Sequence, residues 1–355
     1  MRSTRPALTV DLLAIAENYR RIVVAVKPAE VAPVVKADAY GLGAKPVAMA
    51  LAAAGAKTFF VAHPEEGVEL RRAVPDALIY VLHGFETAHR ALFAEHKLAP
   101  VIASPPQLVD WLKAGLRTPY ALHLDTGMSR LGLSEADIET VHGAAQPALV
   151  LSHLANADDT DHPKNGEQYA RFKRLAERFP GARLSLAASG GCFLSPAFAF
   201  DLVRPGIALY GGHPGKSGEN PMKGTVTLTA PLLQLRSIDR GDTVGYGATY
   251  SASGPRRLGI AAMGYADGLM RSLSNRGHGV IAGVKCPIVG RVSMDLVTLD
   301  VSQVPPSNEL KAGTPVEFIG PHQTVDELAN AAGTLPYEIY TRLGSRIDRH
   351  YVGAR

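Results

Sequence analysis

Val31-Ala32-Pro33-Val34-Val35-Lys36-Ala37-Asp38-Ala39-Tyr40-Gly41 sets a charge at the end of an apolar run, followed at once by turn-forming residues. A run this hydrophobic reads as a strand buried on both faces, as in a parallel sheet. An ammonium at its end must be paired, desolvated with a lowered pKa, or covalently modified. A desolvated lysine amine is a good nucleophile for carbonyls. The alternative is a lysine whose stem lies along the strand while its head reaches water.

Outward from this stretch, short apolar runs recur at 58–62, 78–82, 99–102, 120–125, 148–153, 183–187 and 206–210, and helical patterns separate most of them. These helices are expected at Ala44–Ala54, Glu86–Glu95, Gln107–Ala114 and Gln168–Phe179. An opening strand (Leu8–Val10) and a helix (about Asp11–Val26) precede the series. Eight strands from Val31 onward, alternating with helices, predict an eight-fold (β/α) barrel, with a doubly wound open sheet as the competing architecture. Near residue 211 the pattern changes. Gly211-Gly212-His213-Pro214-Gly215-Lys216-Ser217-Gly218 is turn-rich, and strand-like runs follow at 225–230, 258–263, 280–284, 296–301 and 315–319, with one helix at about Val325–Ala332. The expected division is a barrel over 1–220 and a mainly β domain over 221–355.

Composition narrows the function classes. The 355 residues are 46% hydrophobic and 20% charged, with a net charge of +4, as in an ordinary globular protein. Basic residues occur in no more than short pairs such as Arg71-Arg72 and Arg256-Arg257, so nucleic-acid binding is not expected. Cys192 and Cys286 are the only cysteines, too few for a disulfide framework and not in a metal-ligand spacing. No run approaches the length of a membrane span, and no secretion signal is read at the start, so a cytoplasmic location is the expectation.

In a barrel, chemistry lies at the C-terminal ends of the strands. Lys36 ends the first strand, Asp125-Thr126-Gly127-Met128-Ser129-Arg130 follows the fifth, His153 ends the sixth, Ser189-Gly190-Gly191 follows the seventh, and Arg204-Pro205-Gly206-Ile207 leads into the eighth. The serine and glycine N–H groups suit phosphate oxygens, and Arg130 suits a carboxylate. Taken singly, each has a plainer reading as a turn, a surface ion pair or a satisfied core histidine. The loop Asn156–His162 is acidic but lacks metal-site spacing, and no metal is expected there. In the second domain three glycine-flanked loops, Val244–Tyr250, Gly264–Gly268 and Gly290–Asp295, suggest a surface that meets another molecule.

Together these motifs resemble the alanine racemases, barrel-type pyridoxal phosphate enzymes. The resemblance is carried by Val34–Gly41, Asp125–Gly132, Val203–Gly211, Tyr246–Tyr250, Gly264–Gly268 and Gly290–Asp295, in the family's order and across nearly the whole chain. It implies an N-terminal barrel, a C-terminal β domain that the opening strand joins, and a homodimer with shared active sites. It further implies that Lys36 holds pyridoxal 5'-phosphate covalently and serves as one acid/base, with Tyr246 of the partner subunit as the other. Tyr40, Ser189, Gly206 and Ile207 would bind phosphate, His153 would sit against the cofactor ring, and Arg204 would face its nitrogen. Arg130 and the partner's Met294 would contact the substrate, and Tyr265 would line the entrance. The implied reaction is interconversion of L- and D-alanine, for peptidoglycan synthesis or alanine catabolism.

Three positions depart from the family pattern. His123 stands where many members carry a carbamylated lysine that braces the arginine seven residues on. Ser345 stands where some members have a phosphate-binding tyrosine, so that role is not assigned. Ser293 replaces a common cysteine, with little consequence expected.

Overall fold

The computed structural model describes residues 4–305 and 310–353. The chain divides into two compact units, residues 13–223 and residues 1–12 with 224–355.

In the first unit, six parallel strands form a continuous sheet in chain order: β3 (Thr58–Val61), β4 (Leu78–Val81), β5 (Ala99–Ile102), β6 (Ala121–His123), β7 (Leu149–Leu151) and β8 (Arg183–Ser185). Two short strands, β2 (Glu30–Val31) and β9 (Leu202–Val203), pair in parallel with each other. They join the six at both edges. Val34 bridges Phe60, with Val35 N donating to Phe60 O at 2.9 Å, and Ala188 bridges Arg204, with Arg204 N donating to Ala187 O at 2.9 Å. Eight parallel strands therefore close on themselves. Every residue of β3 and β5 is buried, as a strand lined by core on both faces must be.

Helices connect the strands, and local sequence explains several of their ends. Before Glu135–Val141, the Ser134 hydroxyl accepts Asp137 N at 3.2 Å while the Asp137 carboxylate accepts Ser134 N at 2.9 Å. This reciprocal cap satisfies two amide donors that the helix itself cannot. Pro105 and Ser104 start the helix Pro105–Ala114 in the same spirit.

The eighth strand differs from expectation. It lies at Leu202–Val203, ahead of the expected 206–210, so the Arg204–Ile207 motif follows the strand instead of leading into it. Residues 206–210 are buried turns: Leu209 N donates to Gly206 O at 2.9 Å, and Tyr210 N to Ile207 O at 3.0 Å.

In the second unit, β1 (Ala7–Asp11) lies between β10 (Val226–Ile238), its antiparallel neighbour, and the parallel strand Asp348–Val352. The 13-residue β10 changes partners along its length, from β1 and Pro315–Ile319 at its start to Arg256–Ala261 at its end. Leu8 and Val10 point into the core while their neighbours are half-buried, the period-two signature of a one-sided strand. The helix Val325–Ala332 occurs as expected, and a second helix, Pro336–Thr341, follows it. Among the described residues, no helix is long and apolar enough to cross a membrane.

A fully buried Asn18, on the helix Leu12–Ala25, closes the barrel unit near its end. Its side chain accepts Lys223 N at 2.8 Å and donates to Lys223 O at 2.9 Å and Leu209 O at 3.2 Å. Removing it leaves buried backbone groups unsatisfied, at about 1–3 kcal/mol each before relaxation. Asn18→Ala is expected to lower the urea midpoint by the equivalent of about 2–4 kcal/mol with an unchanged slope, read by denaturant titration.

Candidate active site

The rim begins at Lys36. Immediately after it, Ala37, Asp38, Ala39 and Tyr40 all adopt left-handed backbone angles, with φ between 51° and 59°. None is a glycine. Each such residue costs roughly 1–2 kcal/mol, so the turn persists only because its surroundings over-determine it. The Glu66 carboxylate accepts Ala37 N at 2.7 Å through one oxygen, and Ala62 N at 2.7 Å and His63 N at 3.1 Å through the other. Asp38 accepts Ala44 N at 2.6 Å, fixing the far side of the turn. The Tyr40 ring packs 4.9 Å from Tyr210, whose hydroxyl donates to Val34 O at 2.8 Å. Burial pulls the Lys36 amine below the usual lysine range, Arg130 pulls it further, and Glu66 opposes both.

Across the barrel, the loop after β6 is pinned by Asp125, whose carboxylate accepts Gly127, Met128 and Ser129 N at 2.9, 3.0 and 3.1 Å. Burial raises this carboxyl, and the three amides bring it below its ordinary value. The chain then folds back: Leu133 N donates to His123 O and Asp125 N to Leu133 O, at 2.8 and 3.0 Å. Gly132 permits the return, since a Cβ there would sit 2.7 Å from Asp125 N at a φ of +125°. Arg130 projects from this loop, and among the described residues no carboxylate lies within ion-pair distance of it.

The floor is a buried polar network. Arg204 donates to the carbonyl and hydroxyl of Ser185 and to Ser152 O. Ser152 Oγ donates to Leu124 O at 2.8 Å and pairs with Thr126 Oγ1 at 2.8 Å. Gln168, fully buried, donates to Thr126 Oγ1 at 3.2 Å and to His153 O at 2.9 Å, and it accepts Ala155 N at 2.8 Å. One network thus registers the Asp125 loop, the His153 strand and Arg204. Arg204 retains its Nε donor, which no barrel group takes up. Burial pulls its pKa down to about 10, which still leaves it charged at neutral pH. Burial, then Arg204 and Arg130, push His123 down to about 4 and His153 to about 3. Both rings are neutral at physiological pH.

At the seventh and eighth strand ends, Ser189 Oγ accepts Gly206 N at 2.9 Å and Ala208 N at 3.2 Å, which leaves its own proton free to donate. A Cβ on Gly206 would overlap the Tyr40 hydroxyl, so this narrow cradle requires glycine. Lys36, Tyr40, His123, Arg130, His153, Ser189, Arg204, Gly206 and Ile207 therefore all lie at the C-terminal ends of the barrel strands. Their fixed charges are cationic, while Glu66 and Asp125 are occupied by backbone amides, an arrangement that attracts an anionic ligand.

The other expected residues belong to the second unit. Tyr265 and Met294 are brought together because Tyr265 N donates to Ser293 O at 3.0 Å and Ala266 N to Met294 O at 2.9 Å. Below them Asp267 accepts Gly264 N at 2.8 Å, and Arg346 reaches Asp267 and Asp295 at 3.1 and 2.7 Å. Tyr246 stands 73% exposed on the neighbouring loop, with Met294 54% and Tyr265 42% exposed. Ser345 offers its carbonyl to Arg5. In the Asn156–His162 loop, Asn156 O and Asp159 O accept from Asn165, and Asp158 pairs with Lys216 at 3.2 Å. Among the described residues no group of three or more acidic, histidine or cysteine side chains could hold a metal.

Glu66 and the Gln168 network escaped sequence reasoning. The only signal for Glu66 is a glutamate three residues after His63, at a helix start where it reads as an ordinary cap. The two histidines carry a stability consequence. Each binds a proton in the unfolded chain near pH 6.5 and in the folded one only near 4 or 3. Stability present above pH 6.5 is therefore lost as pH falls through that value, by up to about 1.4 kcal/mol per unit for each ring. His123→Phe is expected to flatten this acid limb, read by urea titration between pH 5 and 7.

Comparison with known proteins then bears on the whole chain. Residues 10–214 match the family model of the alanine racemase N-terminal domain, and residues 225–351 that of its C-terminal domain. The alanine racemase of Methylobacterium nodulans is 46% identical, covering 97% of this chain and 95% of its own length. That of Rhodospirillum rubrum is 47% identical, covering 98% and 96%. Among solved structures, alanine racemase from Bartonella henselae with covalently bound pyridoxal phosphate superposes with a TM-score of 0.93 at 40% identity, covering 99% of this chain and 100% of that one. The biosynthetic alanine racemase of Pseudomonas aeruginosa gives 0.92 at 37% identity, covering 98% and 99%. With both domain models matched in order and relatives this similar along nearly the full length, the chain belongs to the alanine racemase family.

Proposed function

We propose that this protein interconverts L- and D-alanine with pyridoxal 5'-phosphate, using Lys36 and Tyr246 of the partner subunit as its two bases. The observation that carries the reading is Lys36, a half-buried amine leading into a strained turn at the end of the first barrel strand, on the same rim as Arg130 and Arg204.

The residues present fit the cofactor. Ser189 Oγ and the Tyr40 hydroxyl meet at the backbone of Gly206, whose missing Cβ lets them approach, and such hydroxyls and neighbouring amides suit phosphate oxygens. The neutral His153 ring suits a flat aromatic neighbour, and Arg204 has a donor left for a ring nitrogen. Bound pyridoxal phosphate supplies the electron sink for the pair released when the substrate's Cα–H bond breaks.

The side chains do the rest. Lys36 anchors the cofactor and exchanges a proton on one face of Cα. Burial, with Arg130, lowers its pKa, which makes the free amine easier to form. Tyr246 of the partner subunit exchanges a proton on the opposite face, so inversion needs no side chain to cross the substrate. Arg130, with Met294 of the partner subunit, holds the substrate carboxylate, and Tyr265 of the partner subunit lines the entrance. Arg204 donates a hydrogen bond and cannot give up its proton. A carboxylate at that position would strengthen the sink and favour decarboxylation or transamination; an arginine favours simple return of the proton.

A homodimer follows from this division of labour, and the exposed Tyr246, Tyr265 and Met294 support it. A cytoplasmic location is part of the proposal. It is supported by the two free, buried cysteines, Cys192 and Cys286, whose thiols burial pushes up to about 12 and 11.

Borohydride reduction of the purified protein is expected to fix the cofactor's mass on Lys36, and incubation with D-alanine to produce L-alanine by chiral chromatography. Loss of neither signal in Lys36→Ala would overturn the assignment. Tyr246→Phe is expected to slow proton exchange in one direction by about 100-fold or more, as removal of a general acid/base does. Deuterated Cα substrates measure it, and equal, unimpaired rates in both directions would exclude Tyr246 as the second base.

A further inference from the structure

Glu66 has no place in the chemistry above, yet, like Asp125, it accepts three backbone amides, and it does so across two strand ends. One oxygen takes the N–H of Ala37, the first residue of the left-handed turn, and the other takes the N–H groups of Ala62 and His63 at the end of β3. The clamp therefore ties the turn that aims Lys36 to the neighbouring strand. A carboxylate that accepts three amides is charge-assisted at each of them and resists rotation.

We propose that Glu66 is a positioning residue: its carboxylate holds the left-handed turn 37–40 and so sets the direction from which the Lys36 amine is delivered. Four strained residues in succession need a restraint at their first amide, because the α-region lies downhill for every one of them. Asp38 restrains the other end through Ala44 N. With the turn released, the Cα–Cβ vector of Lys36 would swing with its own carbonyl, and the amine would no longer be delivered to a fixed point. The charges that bear on the Lys36 amine are Arg130, which lowers its pKa, and Glu66, which raises it, and Lys36 in turn lowers the pKa of His83 and His153. His83 packs against His63 with ring centroids 4.2 Å apart, and its pKa is lowered by burial, by His63 and by Lys36. Glu66 is thus the one anion among the groups that act on the amine, and it raises the amine's proton affinity against the others.

The inference rests on the reading of Lys36 as the cofactor-bearing base, and its test is separable from that reading. Glu66→Gln keeps the shape but loses the charge and sets an NH2 group against one of the three amides. Three measurements on the holoenzyme follow: alanine kinetics against pH, hydrogen–deuterium exchange of the segment 36–44, and pyridoxal phosphate retained after dialysis. The expected result is a kcat lower by about 10- to 100-fold with KM changed by less than about threefold, as for loss of a charged hydrogen bond that positions a reacting group. The acid limb of the kcat profile is expected to move to lower pH, because removing the anion makes the amine easier to deprotonate. Exchange should speed up in 36–44 and remain unchanged in the strand Val226–Ile238.

Glu66→Asp keeps the charge with a shorter reach, so it should release the segment to exchange while shifting the acid limb less. It also serves if Glu66→Gln fails to fold. Glu139→Gln, which removes a surface partner of Arg178, is the control. Unchanged exchange in 36–44, or an unmoved pH limb in Glu66→Gln, would overturn the proposal even if kcat fell. If Lys36→Ala retained racemisation, the functional reading would fail while the exchange result still reported on the clamp.

Discussion

The site depends on a backbone held where it does not want to be. Ala37, Asp38, Ala39 and Tyr40 together store about 4–8 kcal/mol of left-handed strain, comparable to the whole net stability of many domains. Such a turn can exist only on a scaffold that supplies rigid anchor points on every side. The closed parallel barrel does so: β3 presents Phe60 to Val34 and Val35, the start of the next helix presents Glu66, and Tyr210 packs from the last strand's turn. Much of the buried polar network has the same purpose of registering loops from different strands against one another.

Electrostatics at the rim are one-sided by construction. Lys36, Arg130 and Arg204 bring three cationic groups toward the same strand ends, and the nearby carboxylates are turned into backbone clamps. Two histidines that could have added charge are kept neutral by those same arginines and by burial. Protonating either would place further positive charge beside Arg204, so the rings serve as polar but uncharged walls. This chain offers a neutral imidazole at His123, and Arg130 stands without a carboxylate partner among the described residues.

The barrel was legible because strands buried on both faces read as continuous apolar runs and the helices between them keep their own period. The misplaced eighth strand shows the limit of that signal. Gly206-Ile207-Ala208-Leu209-Tyr210 is as apolar and as buried as a strand, but its amides close turns and a serine hydroxyl, and burial alone does not distinguish the two. The second half of β10 went unread because Gln234, Arg236 and Ser237 break the alternation once the strand leaves the core. Lys36 and Arg204 were legible as charges in apolar surroundings. The left-handed turn was not, since alanine and tyrosine carry no preference for it, and Glu66 looks like any acidic residue at a helix start. Long-range clamps leave no local trace.

The pairing of β1 has a consequence for how the molecule is made. That strand is synthesised before either of its neighbours, β10 and Asp348–Val352. At elongation rates of roughly 5–20 residues per second it waits tens of seconds for the second of them. The barrel can fold meanwhile as a complete insertion, with Asn18 and Lys223 fastening its two ends. Biogenesis therefore runs inside out: the strand ends that carry Lys36 and Arg204 can form early, while the sheet around β1 is sealed only when Asp348–Val352 emerges.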